Sequence, residues 1–179
     1  MPYDSTDIID HYKQRGEWAE LLFMARAAEH GLSILRPWGD SSPYDVALLC
    51  PENPHPQKAR PERTHPRPSI LRVQIKSTQC RHSAGAYKCH IDSNGVPYRP
   101  GLLDFIAAYV IPEQVWYIIP FAATHGQNEV LLAPHRPRSK YARYKEAWHL
   151  LQPTPQPLTV ILRSKCASRT EAHATKSLP

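Results

Sequence analysis

Glycine is scarce in this chain, at 7 of 179 residues, and no two or three of them fall at the spacing of a phosphate-cradling loop. Neither GxGxxG nor GxxxxGK[ST] occurs, which argues against dinucleotide and P-loop nucleotide binding. No GxSxG is present, so no serine-hydrolase elbow is expected. The four cysteines (Cys50, Cys80, Cys89 and Cys166) form no CxxC pair. Cys80-Arg81-His82 with Cys89-His90 is the nearest thing to a zinc set, and its spacing matches no standard zinc motif. Cys50 lies in an apolar run and reads as a small core residue. Long apolar segments are missing, and the first residues lack a charged-then-apolar leader pattern. The expectation is a cytoplasmic protein with reduced thiols and no membrane partner.

What is present points elsewhere. The chain carries 22 Lys+Arg against 16 Asp+Glu, a formal net charge of +6. A basic balance suits a polyanion, because phosphate contacts release counterions. Hydrophobic residues are 41% of the chain, enough for a core, and the length suits one domain. The 19 prolines are clustered. Residues 51–69 hold six of them, and so read as a long Pro-rich loop between two strands.

Residues 16–30 are rich in helix formers and stop at Gly31, a good residue just past a helix end. Strands are expected at 32–38, 44–50, 70–78, 87–91, 115–121, 129–134 and 158–163. Residues 104–111 read as a strand, with a helix as the alternative, and the Pro112-Glu113-Gln114 step predicts a tight hairpin to the next strand. A second helix is expected over 141–151, with Tyr144, Ala147, Trp148 and Leu151 on one face. The pattern predicts an α+β domain over 1–163, a central mixed β-sheet flanked by helices, and a disordered basic tail over 164–179.

Three places can carry chemistry. On a helical wheel Glu20 sits among Phe23, Met24 and Ala27, an expensive setting for a carboxylate that is neither paired nor metal-bound. Taken from the helix alone, an edge position with its head in solvent is the plainer reading. Asp45 opens an otherwise apolar strand, where a turn-terminating Asp is the ordinary explanation. In residues 70–78, Leu71, Val73 and Ile75 point one way and Arg72, Gln74 and Lys76 the other. Antiparallel pairing across the Pro-rich loop would set Asp45 opposite Gln74 and Lys76, and the preceding helix could aim Glu20 at the same spot. Two carboxylates and an amide oxygen suit Mg²⁺, with Mn²⁺ as the substitute. A lysine beside them can orient or deprotonate water, or stabilise charge on phosphorus.

The order Glu20 helix, Gly31, strand, Asp45, then Val73-Gln74-Ile75-Lys76-Ser77-Thr78 resembles the PD-(D/E)xK nucleases, within them the group I intron-associated endonucleases, and more distantly the archaeal Holliday-junction resolvases. The resemblance runs on through Asp104-Phe105, Tyr109 and Trp116-Tyr117-Ile118-Ile119-Pro120, over roughly residues 12–150. It implies a restriction-endonuclease-like core and a magnesium-dependent DNA endonuclease of homing or restriction type. Glu20, Asp45 and Gln74 would hold the metal, Lys76 would be the motif lysine, and DNA the partner. Double-strand cutting implies a homo-oligomer, a dimer or tetramer. Pro43-Tyr44-Asp45 departs from the Pro-Asp of the superfamily name, and Gln74 stands where the motif has an acid, removing one negative charge from the metal site. A non-catalytic nucleic-acid-binding protein and a structure-specific nuclease remain as alternatives. Arg72, Ser77, Arg81 and Lys88 are the expected DNA contacts, with Arg99, Arg136, Arg138, Lys140, Arg143 and Lys145 as further basic surface.

Overall fold

The computed structural model describes residues 11–39, 41–50, 69–93 and 95–152. The expectations for 51–68, for a strand at 158–163 and for the basic tail lie outside the described residues.

The first element is helix α1 (Tyr12–Glu29). It ends at a Schellman turn: Gly31 N donates to Ala28 O at 2.9 Å and Leu32 N to Ala27 O at 3.0 Å. Gly31 sits at φ +72°, where a side chain would be strained, so glycine stops the helix here. Ala19, Phe23 and Ala27, four residues apart, form the buried stripe.

Strands β1 (Ser33–Leu35), β2 (Val46–Cys50), β3 (Ser69–Thr78), β4 (Tyr87–His90), β5 (Phe105–Val110), β6 (Val115–Pro120) and β7 (Glu129–Leu132) follow. Five of them build one mixed sheet in the order β1-β2-β3-β5-β6. Only the β3–β5 pairing is parallel; β1–β2, β2–β3 and β5–β6 are antiparallel. Strand β3 is therefore central, flanked by β2 and β5. The hairpin expected at Pro112 forms, through a 3₁₀ turn over Ile111–Glu113 and Gln114 in the left-handed region.

Helix α1 packs on one face of the sheet, where Phe23, Val73, Tyr109, Trp116 and Ile118 meet. The two-stranded ribbon β4–β7 covers the other, burying Tyr87, Val130 and Leu132 against Ile106, Ala108, Tyr117 and Ile119. Strands β5 and β6 are buried on both faces, which is why their sequences are unbroken apolar runs without alternation. The same property left a helix open for 104–111 from sequence.

The central mixed sheet expected from sequence is present, with α1 on one face and the β4–β7 ribbon on the other among the described residues. One expectation is corrected. Residues 141–151 form no α-helix but two 3₁₀ turns, Ala142–Tyr144 and Trp148–Leu151. The reason lies in the edge of the sheet. Outer strand β6 has unpaired backbone groups at Trp116, and Glu146 satisfies both. Its N–H donates to Trp116 O at 2.8 Å, and its carboxylate accepts from Trp116 N at 2.6 Å. Lys145 bridges to Tyr117 and Glu146 takes φ 50°, so the segment is drawn out where a helix would continue. Satisfying buried strand-edge polar groups outweighs local helix propensity. Ala147, Trp148 and Leu151 are buried as the helical pattern foresaw, though not by a helix.

Candidate active site

The β2–β3 register puts Val46 against Val73, so Asp45 falls beside Gln74. One carboxylate oxygen, Asp45 Oδ2, accepts from Gln74 Nε2 at 2.6 Å and from Ile75 N at 2.6 Å. Glu20 of α1, Asp45, Gln74 and Lys76 all line one cleft of ≈ 710 Å³, which runs from the first half of the helix past β3 to β4. The structure thus brings together the four residues singled out from sequence.

Their surroundings differ. Gln74 is buried, at 8% exposure, although its strand face is the polar one by pattern. Glu20 keeps a quarter of its side chain exposed and pairs with Arg36 at 3.3 Å. It sits at the rim of the helix's buried face, as the plainer reading had it, with its head turned to the cleft. Lys76 Nζ donates to Asp92 O at 2.9 Å, across the cleft at the end of β4.

Burial pushes the Asp45 carboxyl above the ordinary carboxylate value, against the opposing pull of Ile75 N–H, Lys76, Gln74 and Arg36. A folded pKa above the unfolded one means that the metal-free folded state holds the proton more tightly. Asp45's contribution to stability is then complete below about pH 3.8, and is lost as pH rises through the folded value. Asp45→Asn, which does not titrate, is therefore expected to melt higher than wild type in EDTA at neutral pH. The gap should close as pH falls toward the carboxylate range, in paired thermal melts across pH. An equal or lower melting temperature at neutral pH contradicts this account of the site.

A hard divalent cation fits these donors. Asp45 is a half-buried carboxylate whose burial penalty a cation would relieve, Glu20 offers a second, and the Gln74 amide a neutral oxygen. Among the described residues, no three His, Cys, Asp or Glu side chains gather as a metal-holding group. Two acids and an amide leave the rest of an octahedral shell to water, which is how Mg²⁺ is commonly held.

The expected DNA contacts separate. Ser77 and Lys88 line the cleft. Lys88 pairs with Glu129 at 2.7 Å. Arg81 is exposed, its guanidinium 5.9 Å from the Tyr87 ring centroid. Arg72 is committed elsewhere: Nε and Nη2 reach Asp104 at 2.9 and 3.1 Å, and a third bond goes to Gly101 O. Asp104 also accepts from Arg72 N at 2.7 Å and donates its own N–H to Arg72 O at 2.9 Å. Arg72 and Asp104 clasp β3 to the start of β5. Arg72→Ala is expected to cost about 1 kcal/mol in urea denaturation, the pair being about a third exposed. The salt slope of DNA binding should stay unchanged, and a slope reduced by about one unit would restore Arg72 to the phosphate contacts. The zinc reading gains nothing: Cys89 is buried in the ribbon's core and Cys80 is exposed.

Sequence reasoning missed Arg36, Asp92 and Tyr98. Tyr98 stands over Lys76, with Nζ 5.7 Å from the ring centroid. No local pattern marks any of the three: Arg36 is placed by β1 lying beside α1, and Asp92 and Tyr98 by the return of the chain after β4 toward β3.

No family model matches the chain, and no curated protein matches it. Among solved structures, that of a bacterial homing endonuclease, I-Ssp6803I, is similar. Its TM-score is 0.61 at 24% identity, covering 79% of this chain and 93% of that one. The two proteins share a fold. At this identity the likeness speaks for the architecture, a central mixed sheet carrying a helix, and not by itself for the chemistry.

Proposed function

We propose that this protein is a metal-dependent DNA endonuclease, with its hydrolytic centre at Glu20, Asp45, Gln74 and Lys76. The observation that carries the reading is convergence: side chains from α1, the start of β2 and the middle of β3 meet in one cleft. The likeness to I-Ssp6803I, a homing endonuclease, supports DNA as the substrate. The net charge of +6 supports it too.

In this reading Asp45 and Glu20 hold Mg²⁺ or Mn²⁺, and the Gln74 amide oxygen adds a third donor. A bound divalent ion supplies an acidified water and neutralises charge on the phosphate. Asp45 is oriented for this by Gln74 and by Ile75 N–H, which fix one oxygen and leave the other to the cleft. Lys76 orients the attacking water or stabilises the charge on phosphorus. Water oxygen bonds to phosphorus, one P–O ester bond breaks, and the water's proton passes to the leaving alkoxide. Ser77 and Lys88 contact the backbone beside the scissile phosphate. Cutting both strands calls for two such centres, hence a dimer or tetramer.

The competing reading, a nucleic-acid-binding protein with a decayed site, draws on Gln74 in the acid's position and its amide nitrogen turned to Asp45. A Mn²⁺ titration followed by electron paramagnetic resonance separates the two. A working site binds Mn²⁺ and loses it in Asp45→Ala. Binding that is absent, or indifferent to Asp45, favours the decayed site. Branched against linear duplexes as substrate tests the structure-specific alternative.

A further inference from the structure

Lysine is a flexible, strongly hydrated cation, and holding its ammonium in one place costs rotamer entropy. Beside a half-buried carboxylate its simplest resting place is an ion pair with that carboxylate, which would compete with a metal for Asp45. The structure gives the Lys76 ammonium a different seat. Its hydrogen bond, at 2.9 Å, goes to the neutral carbonyl of Asp92. It also lies 5.7 Å from the Tyr98 ring centroid, within cation–π range.

Both contacts come from one turn. Asp92 Oδ1 accepts from Gly95 N at 3.0 Å, and Ser93 and Val96 exchange backbone bonds at 2.9 and 3.0 Å. Gly95 sits at φ +82°, a conformation that side chains rarely adopt. The Asp92 side chain therefore closes the turn, while its carbonyl serves the lysine. Tyr98 also makes an edge-on contact with Phe121, ring centroids 6.5 Å apart. Burial first, then Asp45 and Asp92, push its hydroxyl up to about 12, so the ring stays neutral at working pH.

We propose that Tyr98 is a positioning residue for Lys76: its ring and the Asp92 carbonyl hold the ammonium in the cleft, close to Asp45 but not paired to it. The role of this device in hydrolysis rests on the reading of the cleft given above; the contact itself does not.

The test compares Tyr98→Leu, Tyr98→Phe and Phe121→Leu with wild type, all in the full chain. Single-turnover cleavage by Tyr98→Leu should slow roughly 5- to 30-fold, the equivalent of about 1–2 kcal/mol of partly desolvated cation–π contact. DNA affinity should hold within about twofold, since a lysine held away from its station still carries its charge. Tyr98→Phe keeps the ring and should keep the rate. Phe121→Leu removes packing without removing the ring, and so controls for general loosening.

A second readout needs no cleavage. Acetic anhydride labelling of Lys76, measured by mass spectrometry against exposed Lys13, should rise in Tyr98→Leu alone. Labelling unchanged in Tyr98→Leu overturns the contact. Labelling that rises with cleavage at the wild-type rate overturns the positioning role. Wild-type protein that cuts no DNA, with labelling behaving as expected, would bring down the nuclease reading and leave the seat of Lys76 standing.

Discussion

Lys76→Ala is expected to slow single-turnover DNA cleavage by about 10²–10⁴-fold, the range over which a positioned proton-transfer or charge-stabilising side chain acts. Of the four converging residues, Lys76 alone brings a positive charge to the cleft. Its ammonium is also specifically held, by the Asp92 carbonyl at 2.9 Å. Two neighbouring cations are engaged elsewhere, Arg36 by Glu20 at the rim and Lys88 by Glu129, and Arg15 enters the cleft from α1, on a different element from Lys76. Truncation leaves Asp45 with its two donors, so Mn²⁺ binding should survive in Lys76→Ala even as cleavage fails. Binding and chemistry separate in this variant, whereas in Asp45→Ala both are lost. A reduction below about tenfold would mean that Lys76 orients no water and bears no transition-state charge.

Phe23→Ala is expected to destabilise the protein by about 3–5 kcal/mol, the usual cost of truncating a fully buried aromatic. Phe23 is fully buried in the middle of α1, and it is the helix's main anchor to the sheet. Its ring lies 5.5 Å from that of Trp116 on β6 and 5.4 Å from that of Trp148, and Trp116 and Trp148 in turn meet at 5.9 Å. Removing it opens a cavity among three elements. Because Glu20 is one turn earlier on the same helix, loosening α1 also loosens one wall of the cleft. Urea denaturation monitored by tryptophan fluorescence reads the first effect, and residual cleavage below the unfolding midpoint the second. A cost under about 1 kcal/mol would mean that the helix is held chiefly by contacts elsewhere.

Much of this was legible in the chain. Period-two alternation in 70–78 located β3 and put Gln74 and Lys76 on one face, and the apolar strand starting after Asp45 gave β2. Their antiparallel pairing was one the sequence allowed, and the structure supplies the register that sets Asp45 beside Gln74. Gly31 marked the end of α1 because the Schellman turn requires a positive φ there.

What could not be read was made by tertiary contact. The helical pattern of 141–151 was real as a burial pattern, yet Glu146 is drawn to the open edge at Trp116, and no local signal records that edge. Arg72 shares a strand face with Gln74 and Lys76, so spacing alone made it a cleft residue. Only the parallel pairing of β3 with β5 reveals Asp104 as its partner. Tyr98 and Asp92 reach Lys76 through the fold of a turn 16 or more residues later in sequence, beyond any periodicity argument.

The most direct measurement is cleavage of a supercoiled plasmid and of genomic DNA by purified wild type and Asp45→Asn, each with Mg²⁺, with Mn²⁺ and with EDTA. The account predicts nicked or linear products from wild type with either metal, none with EDTA, and none from Asp45→Asn under any condition. Cleavage that persists in Asp45→Asn or in EDTA would contradict a metal-dependent centre built on this carboxylate.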